Sequence, residues 1–316
     1  MKNRQMWFDV DGKPIQAHGG CILEHEGIYY WYGEHKGIDN CPGTCRVDVV
    51  GISCYSSTNL HDWRYLGLVL PADREDPSSP IHPSCVLERP KVIYNSKTKK
   101  FVMLAHVDNA DYTKASIGFA VSDTPTGPFT LVAVRRPNRQ DSRDMTVFVD
   151  VDGCAYVFHS KDWNKTMNIA RLTDDYLDFD GMYVSVLQDQ EREAPAVCSH
   201  NGMYYMVTSG CTGWSPNAAL YAVCPHVMGK WKLYDNPCEG DGSHITFGAQ
   251  STFIFEVNGV QYLMLDHWVP NDLKTSGYSI LPIVYEKGVR GVDRLTVRWQ
   301  DEWTGLTNEK GSEKEG

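Results

Sequence analysis

A polar residue stands at one fixed distance ahead of one kind of hairpin, repeatedly along this chain. His18, Asp144, Glu193 and Gln250 each lie nine residues before a turn glycine, at Gly27, Gly153, Gly202 and Gly259. Three residues past each glycine comes an aromatic: Tyr30, Tyr156, Tyr205 and Tyr262. Glu88 opens a fifth copy, LERPKVIYNSKTKKFVML, whose turn lacks a glycine and is one residue longer, so its matching aromatic is Phe101. Strand register is tied to side-chain alternation, and unrelated strands have no reason to share an offset. One supersecondary unit is thus repeated, and each copy begins with a polar side chain.

Each hairpin is followed by a second recurring element, a strand running into a polar turn and then an aromatic. GISCYSSTNLHDWRYLG, GFAVSDTPTGPFTLV and YAVCPHVMGKWKLY show it clearly. IARLTDDYLDFDGM is looser, and SILPIVYEKGVRGVDRLTVRWQ follows the last hairpin. One copy is therefore about four strands. Strand signals dominate, and no segment sustains a helical period. Four-stranded units repeating in this way are the mark of a β-propeller, whose blades surround a central channel. A sandwich would not demand equal offsets. The expectation is an all-β, five-bladed propeller over residues 1–316 with no second domain, ending in a polar tail from about residue 304. The polar start residues would then converge on the axis. The competing reading is that they only satisfy backbone groups at the channel mouth. HKGIDNCPGTCRVDV, in the first blade, reads as a loop inserted on the binding face.

Composition excludes several classes. A formal net charge of −10 argues against a nucleic-acid partner, which calls for a basic surface. No apolar run is long enough to span a membrane, and the N-terminus has no apolar leader core. The location follows as cytoplasmic if the chain is complete, and secreted or periplasmic if a leader was removed. Of the ten cysteines, Cys21, Cys54, Cys85, Cys154, Cys198 and Cys224 sit in apolar runs and read as small buried hydrophobes. Cys41 and Cys45, in NCPGTCR, are the one pair that suggests a local disulfide or metal corner, and no second pair completes a zinc site.

Three of the five converging residues are acids: Glu88, Asp144 and Glu193. Carboxylates brought together repel, so at least one should keep its proton at neutral pH. A protonated carboxyl beside an ionised one is the pairing that cleaves glycosidic bonds. No nucleophile elbow or phosphate loop is present. Trp31 and Tyr32, Tyr112 and Trp214 add aromatic faces, which suit the C–H faces of a sugar. Blade packing is the alternative for each aromatic. It holds for the recurring Tyr30, Tyr156, Tyr205 and Tyr262, whereas Tyr112 and Trp214 fall outside the repeat and read as ligand contacts. Arg89, Arg143 and Arg192 each adjoin a ring residue. Strand alternation would point them away from the channel, into structural ion pairs.

At these residues the chain resembles glycoside hydrolase family 43, over its full length. IQAHGG, YYWYGEHK, VLERPKVIYN, SRDMTVFVD, REAPAV, TSGCTGWSPN and AQSTF carry the resemblance, chiefly to the exo-β-1,3-galactanases of that family. It implies a five-bladed propeller and an inverting hydrolase that releases terminal galactose from β-1,3-galactan or its oligosaccharides. Glu193 in REAPAV matches the general acid, and Asp144 in SRDM the carboxylate that raises its pKa and orients it. The family's usual base, a first-blade aspartate, is replaced here by His18 in AHGG. The subgroup resemblance gives the base role to Gln250, as an imidic tautomer. Glu88 is the chemically simpler base, and otherwise a ligand of sugar hydroxyls. His18 or substrate assistance are the remaining choices. Glu34, Tyr112, Thr212 and Trp214 match positions that bind the terminal sugar, with His18 beside them. No cofactor or metal is expected, although family members sometimes hold an ion near the axis, where His244 is a conceivable neighbour. Two alternatives stay open: an α-L-arabinofuranosidase or β-xylosidase on the same fold, and a non-catalytic galactan-binding propeller.

Overall fold

The computed structural model describes residues 1–288 and 291–306. Its sheets follow the repeat. Blade 1 holds β1 (His18–His25), β2 (Ile28–Glu34), β3 (Gly51–Ser57) and β4 (Arg64–Pro71). Blade 2 holds β5 (Val86–Asn95), β6 (Lys100–Asp108), β7 (Ser116–Ser122) and β8 (Thr130–Arg135). Blade 3 holds β9 (Met145–Val149), β10 (Ala155–Lys161), β11 (Thr166–Leu172) and β12 (Phe179–Val186). Blade 4 holds β13 (Arg192–His200), β14 (Met203–Gly210), β15 (Leu220–Cys224) and β16 (Lys232–Tyr234). The fifth sheet has the order β17-β21-β20-β19-β18, from β17 (Cys238–Glu239), β18 (Gln250–Val257), β19 (Val260–His267), β20 (Gly277–Glu286) and β21 (Arg294–Arg298). Its extra strand, β17, pairs parallel with β21. Otherwise each sheet is an antiparallel meander in chain order.

The first strands form the inner ring. β1 touches β5, β5 touches β9, β9 touches β13, β13 touches β18, and β18 returns to β1. A closed ring of this kind leaves only short edges exposed, which is how a propeller avoids a free sheet edge. Apolar burial is divided among the seams between blades. Cys21, Tyr32, Val92 and Phe101 fill the first seam, and Val102, Phe119, Val147 and Val157 the second. Phe158, Ile169, Met206 and Trp231 fill the third, and Tyr205, Val207, Leu263 and Leu281 the fourth. The recurring aromatics belong to these seams, as do Trp31 and Tyr32, which are core and not rim.

The fifth seam closes the ring, with Trp7, Trp31, Phe255, Tyr278 and Trp303. The N-terminal segment crosses it. Asn3 N donates to Asp301 O and Arg4 N to Tyr278 O. The expected polar tail is anchored where it begins, because Leu306 N donates to Asn59 O and the side chain packs on this seam. Residues 307–316, the rest of that tail, lie outside the described residues. All ten cysteines are free, so Cys41 and Cys45 are not bonded, and Cys41 Sγ instead meets Asp48. Cys85 and Cys154 are only half-buried, against the expectation for them, whereas Cys21, Cys54, Cys198 and Cys224 are buried. Among the described residues no helix is long and apolar enough to cross a membrane.

Candidate active site

The inner strands do not run straight at the axis. Register slips between His18 and Cys21 in β1, between Glu88 and Lys91 in β5, between Glu193 and Ala196 in β13, and between Ser251 and Phe253 in β18. In three blades the residue after the polar one has a positive φ: Gly19 at 59°, Arg89 at 54° and Ala194 at 52°. A bulge breaks the alternation of side chains and re-aims the residues around it. Only glycine accepts this conformation without strain, so Arg89 and Ala194 mark places where the fold holds a costly backbone. At Gly19 a Cβ would lie 2.2 Å from Glu34 Oε1, so any side chain there would displace the Glu34 carboxylate.

Bulges leave carbonyls without ladder partners, and buried carbonyls need donors. Lys91 supplies them. The residue is 1% exposed, and its ammonium donates to Gly19 O at 2.7 Å, Arg89 O at 3.3 Å and Pro90 O at 3.4 Å. Burial pushes its pKa down to about 8. It thus ties the bulges of blades 1 and 2 together beneath the channel mouth.

Above lies a cavity of about 300 Å³. Its wall includes Glu34, Glu88, Asp144, Glu193, Gln250, Tyr112 and Trp214 from the sequence reading. It also includes Lys36, Arg89, His106, Arg143, Asn164 and Trp268. Two expected residues are not in the wall. His18 is 0% exposed, stacked on Tyr278 at 4.5 Å, with Nδ1 3.0 Å from Asp266 Oδ1 and Nε2 3.0 Å from the Tyr278 hydroxyl. It clamps blade 1 to blade 5, so the assignment of His18 as a sugar contact is corrected to a role in the closing seam. Thr212 faces its own loop, donating to Ser215 O and accepting from Asn217 Nδ2 at 2.7 Å, and this shapes the turn that presents Trp214. His244 sits in a short 3-10 turn before β18, and among the described residues no group of three metal-binding side chains gathers.

The arginines divide. Arg192 turns away, as alternation requires, and donates to Thr208 Oγ1 and Thr208 O. Arg89 does the reverse of the expectation, because the bulge turns it into the cavity. Its guanidinium grips both oxygens of Asp144, Nε to Oδ1 at 3.1 Å and Nη2 to Oδ2 at 2.9 Å. Nη2 also donates to Gln250 Oε1 at 2.6 Å, and Nη1 to Ser251 O at 3.1 Å. Such a bidentate fork fixes geometry as well as charge. Arg143 likewise reaches the wall, held by Asp141 and by Tyr112 O at 3.1 Å.

Glu193 is the carboxyl kept from ionising. Burial and then the negative charge of Asp144 raise its pKa to about 7. Asn164 Nδ2 donates to Oε2 at 2.8 Å, and Gln250 Nε2 to Oε1 at 3.1 Å. Glu88 is the opposite case. Burial alone would raise its pKa, but His106, with Nδ1 3.4 Å from Oε2, the charge of Lys36 and the Tyr112 hydroxyl at 3.0 Å hold it down at about 2. His106 lies between Glu88 and the buried Asp108, and these two acids carry its pKa up to about 9 against the effect of burial. Burial raises the Glu34 carboxyl, Lys36 at 2.7 Å opposes it, and Arg89 N donates to it at 2.9 Å. The site therefore sets a carboxyl that exchanges its proton near neutral pH on one wall against fixed negative charge on another.

Part of the wall comes from a set of loops with a common position, each joining the second and third strands of its blade. They deliver Lys36, Tyr112, Asn164, Trp214 and Trp268, one per blade. The offset from the blade's recurring aromatic ranges from 6 to 11 residues, so no one spacing finds all five. Trp268 Nε1 donates to Gln250 Oε1 at 3.1 Å, and its ring meets Trp214 edge-on at 5.6 Å.

The family model described as glycosyl hydrolases family 43 matches residues 21–254. A comparison with curated proteins finds no match. Among solved structures, the chain is 37% identical to a GH43 β-1,3-galactosidase with galactodeoxynojirimycin, with a TM-score of 0.88 over 96% of this chain and 99% of that one. It is 34% identical to an exo-β-1,3-galactanase from Clostridium thermocellum, with a TM-score of 0.82, covering 94% of this chain and 64% of that one. It is 29% identical to an exo-β-1,3-galactanase from Phanerochaete chrysosporium with β-1,3-galactotriose, with a TM-score of 0.83, covering 94% of this chain and 66% of that one. The chain thus spans somewhat under two thirds of those two longer relatives.

Proposed function

Because the chain belongs to glycoside hydrolase family 43, we propose that it is an inverting, exo-acting hydrolase that releases terminal galactose from β-1,3-galactan or its oligosaccharides. The single observation that carries this reading is the Glu193–Asp144 pair, a buried carboxyl with its pKa raised to about 7 beside a carboxylate gripped by Arg89. A general acid works best with a pKa near the operating pH, and Glu193 meets that condition. The β-1,3-galactosidase and exo-β-1,3-galactanases it resembles support the sugar and linkage.

In the proposed reaction the terminal galactosyl unit occupies the cavity. Glu193 gives its proton to the glycosidic oxygen as the C1–O bond breaks. A water attacks C1 from the opposite face and loses a proton to the base, so the β-linkage yields α-galactose. Asp144 keeps Glu193 protonated until that moment. Tyr112, Trp214, Glu34 and Lys36 surround the sugar.

Gln250 is the first candidate for handling the water. Its Nε2 now donates to Glu193, a contact that an entering sugar would have to open. One observation favours a second reading, in which Glu88 is the base. Gln250 Oε1 accepts from Arg89 and Trp268, both pure donors, so the hydroxyl of an imidic tautomer would have no acceptor there. Glu88 is ionised already, although its low pKa makes it a weak base. Azide rescue separates the two, because an external anion can replace a missing base. Rescue of Glu88→Ala but not Gln250→Ala would favour Glu88, and the reverse Gln250.

The reading as a whole is tested on β-1,3-galactotriose and on aryl α-L-arabinofuranoside and β-xyloside. Stepwise release of galactose from the first, with the others inert, is expected. Release of arabinose or xylose alone would replace it with the other specificity. Binding of galactotriose without turnover would leave a sugar-binding propeller.

A further inference from the structure

Beside the acid, the loop between β10 and β11 is bent in an unusual way. Asp162, Trp163 and Asn164 have φ of 54°, 54° and 63°, three successive residues in the left-handed region, none of them glycine. Such residues are strained, so the surroundings must over-determine the turn. They do: Asp141 accepts from Asp162 N at 3.0 Å and Trp163 N at 3.4 Å, and its carboxylate is itself paired with Arg143. Two things result. Asn164 is aimed at the acid, with Nδ2 2.8 Å from Glu193 Oε2. Trp163 is laid over the Arg143 guanidinium, 3.9 Å from its ring centroid, yet stays 62% exposed. Trp163 is thus a large ring held rigid, stacked on Arg143 of the cavity wall and next in the chain to Asn164 of the same wall, with most of its surface free.

The chemistry of the acid says which partner. A general acid must reach the oxygen that leaves, so the departing sugar lies on the side of Glu193 that faces out of the cavity. Asn164 and Trp163 are adjacent in the chain, and the first touches that acid. We propose that Trp163, backed by Arg143, is the platform for the leaving-group sugar, the galactosyl unit whose 3-oxygen Glu193 protonates. The axial O4 of galactose leaves one ring face as a patch of C–H groups, which suits a flat indole. Arg143 withdraws no charge from the cavity, since Asp141 neutralises it, and it fixes the ring from below. The proposal rests on the function above and deepens it, because it makes the enzyme select for a sugar on the reducing side of the scissile bond.

The test compares two substrates on wild type, Trp163→Ala and Trp163→Phe. β-1,3-Galactobiose has a leaving sugar. β-Galactosyl fluoride has none and needs little help from an acid. For Trp163→Ala the ratio of kcat/KM on galactobiose to that on the fluoride should fall roughly five- to tenfold, mostly through KM. Trp163→Phe should restore most of the ratio. An unchanged ratio in Trp163→Ala would overturn the platform while wild-type cleavage of galactobiose left the function standing. Equal loss on both substrates would also overturn it, since the ring would then act through the fold or the acid. Failure of the wild type to cleave galactobiose would sink the function itself, and the platform with it.

Discussion

Replacing Asp144 by asparagine tests the electrostatic core of the site. Asp144 is the second cause of the raised Glu193 pKa, after burial, and Arg89 is its counter-ion. In Asp144→Asn the like charge disappears and the Arg89 cation loses its carboxylate. Both changes favour ionised Glu193, so its pKa falls. A neighbouring charge at such range moves a pKa by about one pH unit or more, each unit being about 1.36 kcal/mol. With the wild-type value at about 7, about half of the enzyme carries the acid proton at pH 7. One unit lower leaves about a tenth, a loss of about fivefold at pH 7 and about tenfold at pH 8. Below about pH 5 both forms are protonated and this part of the loss vanishes. Disturbing Arg89 adds a further loss that does not vary with pH. The assay is kcat/KM on β-1,3-galactobiose from pH 4 to pH 9. The basic limb should move down by about one unit in the variant. A basic limb that stayed near pH 7 would refute the claim that Asp144 tunes Glu193.

Three further outcomes follow from the same geometry. Glu193→Gln should lower kcat on galactobiose by about 10²–10⁴. A carboxyl whose folded pKa exceeds its unfolded value loses stability as pH rises between the two, so the amide should also stabilise the fold by about 1–2 kcal/mol at pH 8 but not at pH 4, read by urea unfolding. His18→Ala should cost about 2–4 kcal/mol, because it leaves a void and takes one hydrogen-bond partner from each of Asp266 and Tyr278, while KM for galactobiose stays within about twofold; a large KM change would restore His18 to the sugar site. Lys91→Met should destabilise by about 2–4 kcal/mol, since three buried carbonyls lose their donor, and should lower activity through the misplaced bulges of Gly19 and Arg89; wild-type stability would contradict the account of how the bulges are held.

The fold was legible because a repeat exposes its own register. Four equal offsets from polar residue to turn glycine put Asp144, Glu193 and Gln250 at the inner ends of their blades, and Glu88 with them. The same reasoning misled at His18, which shares the offset but turns under the bulge into the blade 1–blade 5 seam. It also misled at Arg89. Strict alternation points it outward, and only the positive φ at that residue, which no composition rule announces for an arginine, turns it onto Asp144 and Gln250. Trp268, Asn164 and Lys36 were missed for a different reason. They sit in loops of unequal length, and although Lys36 and Trp268 both stand six residues past their aromatic, Asn164 stands eight past its own, so no one spacing finds all three. Once the blades are counted, a loop after every second strand becomes a place to look. The exposed Trp163 and the buried Trp31 show why aromatic content alone decides nothing: loop or strand position separates them.

The central claim is that a β-1,3-linked galactosyl unit is cleaved by direct displacement with Glu193 as the acid. The anomer released first reports on it most directly. Proton NMR of β-1,3-galactobiose, recorded faster than mutarotation, should show α-galactose from the non-reducing unit as the initial product. Initial β-galactose, or no galactose at all, would contradict the account.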